Sequence, residues 1–319
     1  MDRIQSPLKF GLVFLLVVAG LGFAVFWGLT SPDLFHALRG RDLNLPPHFV
    51  ADAGRGERHF WAGGCASCHH SESSEKGQAN GNAVFLGGGQ RLKTPFGTFI
   101  MPNISSHPQD GIGNWSFENF AKAMREGVLP DGRHAFPAFP YTAYQRMTTA
   151  DLADLFAFLK TLPKVDGRPP AHELAFPFNM RRGVGLWKWL YLDGSPFLPD
   201  PAKPDLWNRG AYLVNGLGHC AECHSPRSLA GGIIAGRRFA GGPSPEGGEG
   251  RVPNITPHPD GLGRWSLEDI EEFLKTGFTP DFDSAGGSMA EVIKNTARLS
   301  DDDRKAIATY LKGLAAIPK

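Results

Sequence analysis

The chain has 319 residues, 41% of them hydrophobic and 20% charged, a length that suits about two domains. Basic and acidic residues number 33 and 32, so no basic field gathers phosphates and nucleic-acid binding is disfavoured. With 40 Gly and 26 Pro, a long-helix bundle is a poor fit, and short helices joined by turn-rich loops are expected. Four Cys are too few for a disulfide scaffold of this size.

In chain order, the first element is an uncharged run from residue 10 to residue 30, mostly Leu, Val, Phe, Ala and Gly. About twenty residues at 1.5 Å each match a hydrocarbon core of about 30 Å. Arg3 and Lys9 precede the run, which favours residues 1–9 on the cytoplasmic side. Trp27 lies near the far end, where an indole suits the interface. No small-residue cleavage site follows Phe26-Trp27-Gly28, so an uncleaved single-pass anchor is expected rather than a removed signal peptide. Under either reading the remainder is exported.

The rest of the chain repeats itself. Arg55-Gly56 leads to Cys65-Ala66-Ser67-Cys68-His69, and Arg209-Gly210 leads to Cys220-Ala221-Glu222-Cys223-His224. Pro102-Asn103-Ile104 precedes Gly111-Ile112-Gly113-Asn114-Trp115-Ser116, echoed by Pro253-Asn254-Ile255 and Gly261-Leu262-Gly263-Arg264-Trp265-Ser266. Each half closes on a helical pattern, one after Thr148 and one after Ser300. Two homologous domains are therefore expected, at 52–162 and 208–319. The connector, 163–207, holds eight prolines and cannot be one helix. Within it, Met180–Leu192 suits a short amphipathic helix with Trp187, Trp189 and Leu190 on its apolar side. That helix reads as a strap packed on both domains, or else as a docking surface for a partner or the membrane. Asn103, Asn254 and the Gly-x-Gly turns read as loop fixtures.

C-x-x-C-H is a haem-attachment signature. Thiols three positions apart lie on one side of a helical turn and can reach both vinyl groups of one macrocycle. The following His then lies beneath the iron. Cys65 and Cys68 would hold one haem with His69 as its proximal ligand. Cys220 and Cys223 would hold a second, with His224. A shared structural zinc or a redox dithiol explains neither the trailing His nor the full domain repeat. The expected cofactor is two covalently bound haem c.

These segments, with Pro130-Asp131-Gly132-Arg133-His134 and Phe176-Pro177-Phe178-Asn179-Met180, resemble the membrane-bound cytochrome c subunits of bacterial periplasmic dehydrogenases, the alcohol dehydrogenase type above all. The resemblance covers roughly residues 52–317. It implies a mainly α fold of two tandem cytochrome-c-type domains after the N-terminal helix. It further implies an electron relay at the inner membrane with its haem domains in the periplasm. A periplasmic dehydrogenase would be the donor; quinone, a soluble cytochrome or an oxidase would be the acceptor. Two attachment sites exclude a trihaem member.

In such domains a Met before the last helix usually supplies the sixth ligand. Met289 takes that role in the second half. The first half departs from the family pattern, because Phe139 stands where Met is common and cannot bind iron. Met147 is the first candidate to replace it, ahead of Met101 and His134, and an iron left open is the other possibility. His70 reads as surface. No residue is assigned to acid–base catalysis. The competing function is a haem enzyme, acting on peroxide or a small oxyanion at an open haem 1.

Overall fold

In the computed structural model the described residues are 7–71, 84–247 and 250–318. Arg3, part of the expected cytoplasmic segment, lies outside them. Helix α1 (Pro7–Leu29) contains a 21-residue stretch, Lys9–Leu29, of mean hydropathy 2.5. None of its residues is fully buried, and by length and composition it can cross a bilayer. Helix α2 (Pro32–Arg39) follows at once. The Ser31 side chain accepts from the Leu34 N–H and Pro occupies the first helical position, both favourable at a helix start. Phe35, 1% exposed, anchors α2 with its ring 5.2 Å from that of Trp189.

The first domain contains α3 (Ala53–Ala62), α4 (Cys65–His69), a hairpin of β1 (Arg91–Thr94) and β2 (Gly97–Ile100), then α5 (Phe117–Glu126), α6 (Tyr141–Tyr144) and α7 (Thr149–Thr161). The connector adds β3 (Glu173–Leu174), antiparallel to β2 with Gly97 opposite Leu174. A 3₁₀ turn (Arg181–Gly183) then runs into α8 (Val184–Tyr191). The second domain holds α9 (Asp205–Tyr212), a wide turn (Leu213–Leu217), α10 (Ala221–His224), a short β4–β5 ladder (Gly242–Pro243, Arg251–Val252), α11 (Leu267–Thr276), α12 (Ser288–Thr296) and α13 (Asp301–Lys312). The molecule is mainly helical, as expected; the three-stranded sheet and α2 were not anticipated.

Each domain is closed by one crossing of its first and last helices. At Gly56 a Cβ would collide with the Asp154 carbonyl and the Phe158 Cβ of α7; at Gly210 it would collide with the Ala306 carbonyl and the Tyr310 Cβ of α13. The preceding arginines tie the same crossings. Arg55 Nε donates to Asp154 at 2.6 Å, and Arg209 Nε donates to Asp303 at 2.7 Å. The side chains of Ser116, Thr148, Ser266 and Ser300 accept from the third helical N–H of α5, α7, α11 and α13, so both repeats start their helices by the same chemistry. The core does not divide: one apolar cluster runs from Phe60 and Leu152 in the first domain to Val214 and Leu311 in the second.

The connector helix meets the expectation in part: Trp187 and Trp189 pack, half-buried, against the cluster of Phe35, Tyr141 and Leu192. Leu190 is 75% exposed, while Val184, Gly185 and Lys188 form the buried side. Lys188 donates to the Gly127 carbonyl at 2.8 Å, and Trp187 donates to the Ala230 carbonyl at 2.9 Å. The strap thus touches both domains. Its buried side takes a lysine because a carbonyl and an imidazole wait there to accept its N–H groups.

Candidate haem sites

Cys65 opens α4 and Cys220 caps α10, so in both motifs the two thiols and the His share one helical turn. All four thiols are free. Burial pushes Cys65 and Cys220 up to about 12 and Cys223 up to about 11. Cys68 is also raised by burial. A redox dithiol needs a depressed pKa, so this environment argues against one. Among the described residues, the groups that could gather on a metal ion are His59 with Asp151 and Asp154, and His107 with Asp110 and Asp166. No thiol belongs to either group, so the described thiols are not gathered as a shared zinc site would need.

The two histidines meet identical surroundings. His69 Nδ1 donates to the Pro102 carbonyl at 2.8 Å, and His224 Nδ1 donates to the Pro253 carbonyl at 2.9 Å. Burial lowers the pKa of both rings, which favours the neutral imidazole. With the proton held on Nδ1, the lone pair lies on Nε2, which among the described residues meets no partner. A fixed tautomer with a free Nε2 is how a ligating imidazole is prepared. The residues present therefore fit a covalently bound haem at each motif. The orienting carbonyl was not read from the sequence, although the repeated Pro-Asn-Ile was its signal.

The loops that carry those carbonyls are held alike. Asn103 Oδ1 accepts from the Ser105 N–H while its Nδ2 donates to the Val165 carbonyl at 2.7 Å. Asn254 Oδ1 accepts from the Thr256 N–H while its Nδ2 donates to the Ile317 carbonyl at 2.7 Å. These side chains do fix loop backbone, as the sequence suggested. The Gly-x-Gly turn of the first domain is set by close approach. Gly111 and Gly113 are not in the left-handed region; they are glycines because a Cβ would collide with the Ser105 and Ser106 carbonyls. A lysine from each last helix completes the loop, unread in the sequence. Lys160 donates to the Ile112 and Gly113 carbonyls, and Lys312 to the Leu262 and Trp265 carbonyls.

The structure separates the sixth-ligand candidates. Left-handed Gly127 and Gly277 (φ 58° and 82°) end α5 and α11. Each carbonyl accepts at 2.8 Å from Ala135 or Ala285 respectively. Four residues beyond those alanines come Phe139 and Met289, in equivalent places. Met289 is half-buried near the start of α12. Phe139 packs beside Tyr144, ring centres 5.8 Å apart.

Met147, 0% exposed, immediately precedes the Thr148 cap of α7, as Leu299 immediately precedes the Ser300 cap of α13. Both belong to the common core. Met101 is buried with Phe99 and Phe136. His134 has both ring nitrogens engaged, with Thr30 and Lys188. His70 is half-buried rather than surface, its Nδ1 on the Ala66 carbonyl and its Nε2 paired with Gln90.

The turns before the two motifs lie back to back. A Cβ on Gly63 would lie 3.8 Å from the Leu217 carbonyl, and one on Gly218 would lie 3.8 Å from the Ala62 carbonyl. The Gly63 carbonyl accepts from the Tyr144 hydroxyl at 3.1 Å and from His219 Nε2 at 3.3 Å. Asn295 of α12 donates to Ser67, inside the first motif, at 2.6 Å. The two attachment segments are therefore neighbours across the domain boundary.

Comparison with known proteins agrees with this geometry. A family model for cytochrome c matches residues 53–163 and 208–315. The chain is 47% identical over 314 residues to a diheme cytochrome c-type protein of Cereibacter sphaeroides, covering 98% of this chain and 99% of that one. It is 40% identical to the fructose dehydrogenase cytochrome subunit of Gluconobacter japonicus, over 80% of this chain and 51% of that one. It is 35% identical to the cytochrome c subunit of the quinone alcohol dehydrogenase of Gluconobacter oxydans, over 83% of this chain and 55% of that one. The chain thus spans about half the length of the latter two. It belongs to the cytochrome c family and carries two domains of that fold.

Proposed function

We propose that this protein is a membrane-anchored dihaem c-type cytochrome that relays electrons from a periplasmic dehydrogenase to the respiratory chain. The observation that carries the reading is the matched pair His69–Pro102 and His224–Pro253, each presenting a free Nε2 beside two thiols. Cys65 and Cys68 would hold one haem, Cys220 and Cys223 the other, and Met289 would be the distal ligand of the second. When bound, haem supplies a one-electron iron couple whose potential is set by its ligands and burial.

The chain's own part is positioning. The Pro102 and Pro253 carbonyls fix the imidazoles, and the Gly63–Leu217 and Gly218–Ala62 contacts keep the two motifs adjacent. Helix α1 would confine the relay to the inner membrane, with the haem domains on the periplasmic side. The named relatives that are subunits of dehydrogenases support a dehydrogenase donor; quinone, a soluble cytochrome or an oxidase would be the acceptor. The test is deletion of the gene, followed by oxygen uptake by membranes given a panel of alcohols, sugars and sugar acids. Uptake on at least one substrate should be lost, and restored by the wild-type gene but not by a Cys65→Ser/Cys68→Ser variant. Unchanged uptake across the panel contradicts the relay.

A second reading rests on Phe139. With Met147 in the place of Leu299 and His134 engaged at both nitrogens, haem 1 would lack a sixth protein ligand and could bind peroxide or a small oxyanion. Low-temperature electron paramagnetic resonance distinguishes the two: a high-spin signal from haem 1 supports the open site, and two low-spin signals reject it.

A further inference from the structure

The exit of α1 is clamped to the folded body. Trp189 Nε1 donates to the Leu29 carbonyl at 2.6 Å, and His134 Nε2 donates to the Thr30 carbonyl at 2.9 Å. Arg182 Nη2 donates to the Trp27 carbonyl at 2.6 Å, its Nε donates to Thr30 Oγ1 at 2.9 Å, and its guanidinium lies 3.8 Å from the Trp27 ring centre. A Cβ on Gly185 would fall 2.7 Å from the Thr30 Cα, so α8 lies against the exit itself. Wherever the bilayer holds α1, residues 182–189 are held beside the same leaflet, and 176–181 lead directly into them.

That segment is built for such a place. Between Glu173 and Asp193 there is no acidic residue. Phe176, Leu190, Phe178, Met180 and Leu186 are exposed, the first two at 77% and 75%. Leu186 and Leu190, four apart, share one face of α8 while Val184 and Lys188 are buried. Arg181 and Arg182 adjoin this apolar surface, where cations meet anionic headgroups favourably. Trp27, under Arg182, and Trp189, bonded to the Leu29 carbonyl, bring indoles to the exit of α1. Left in water, such an apolar surface is unfavourable in proportion to its exposed area.

We infer that residues 176–190 form an interfacial platform, seated in the headgroup region of the leaflet into which α1 emerges. The proposal rests on the reading of α1 as an anchor. The platform fixes the haem domains close to the bilayer in one orientation, rather than leaving them on a free tether. The occupant is lipid because the surface is continuous with the exit of α1. A protein subunit covering the same face is the competing outcome.

The test uses the full chain with its haems in nanodiscs of phosphatidylethanolamine and phosphatidylglycerol, with a small share of phospholipid bearing a photoactivatable group near the glycerol. After irradiation, adducts are mapped by peptide mass spectrometry. Adducts are expected on α1 and on 176–190. A Leu186→Glu/Leu190→Glu variant should lower labelling of 176–190 by about fivefold, with α1 labelling and the haem spectrum unchanged. Leu190→Glu alone, at the more exposed position, should lower it in the same direction and guards against misfolding of the double variant. Adducts on α1 alone overturn the platform and leave the anchor standing, with the face free for a protein. Absence of adducts on α1 overturns the anchor and the platform together.

Discussion

Lys188 Nζ, wholly buried, lies 2.8 Å from His134 Nδ1 and donates to it, while Nε2 of the same ring donates to the Thr30 carbonyl. The pair links the exit of α1, the strap and the first domain. Burial, then the Lys188 charge, lowers the imidazole pKa to about 4. Burial lowers that of Lys188 to about 7. The folded ring stays neutral down to about 4, whereas the unfolded ring takes a proton below about 6.5. The unfolded state therefore binds more protons between those values, and stability falls as pH drops through that window. Guanidinium unfolding at pH 6.5 and pH 4 should show a loss on the order of 3 kcal/mol from this group. A His134→Asn variant should lose less by about that amount; an equal loss would contradict the assignment. Lys188 acts in a higher window: its contribution to stability rises from about pH 7 toward 10.5.

Phe139→Met places a thioether where the second domain has Met289. Methionine ligation raises a haem potential, so the haem 1 potential should rise in a spectroelectrochemical titration. A potential unmoved from wild type would show that the site cannot present its side chain to the iron.

Met147→Leu copies Leu299 and keeps the core volume. Its cost should stay below about 1.5 kcal/mol, as for other volume-conserving swaps. The electron paramagnetic resonance spectrum should not change. Conversion of a low-spin signal to high-spin would restore Met147 as a ligand.

Gly56→Ala and Gly210→Ala each force a methyl into the carbonyl of the crossing helix. Each should destabilise by about 1–3 kcal/mol or more, read from chemical denaturation followed at both the Soret band and far-ultraviolet dichroism. Because one core spans both domains, the two probes should report one coincident transition. Two separated transitions would mean that the domains unfold independently.

Much of the site was legible because it repeats. Covalent haem attachment demands two thiols and an imidazole at fixed spacing, so local sequence carries the motif without help from the fold. The last helix of each domain was readable from its apolar period and its Thr148 or Ser300 cap. What escaped notice depends on contacts between distant segments. The Pro102 and Pro253 carbonyls, the Lys160 and Lys312 bridges and the burial of Lys188 are set by which chain passes nearby. No residue type announces them. For Met147, thioether chemistry suggests a ligand while its place before a helix cap makes it the counterpart of Leu299, so the residue type alone does not decide its role. Phe139 stood out in the sequence as a departure from the family pattern, and the structure puts it in the place equivalent to Met289.

The central claim is covalent haem on both halves of the chain. Intact-protein mass spectrometry, with a pyridine haemochrome titration on the same sample from an export-competent host, tests it directly. The wild-type chain should carry two haems. Cys65→Ser/Cys68→Ser and Cys220→Ser/Cys223→Ser should each carry one, on the remaining motif. A wild-type chain at the mass of the bare polypeptide, or a serine variant that keeps both haems, would contradict the account.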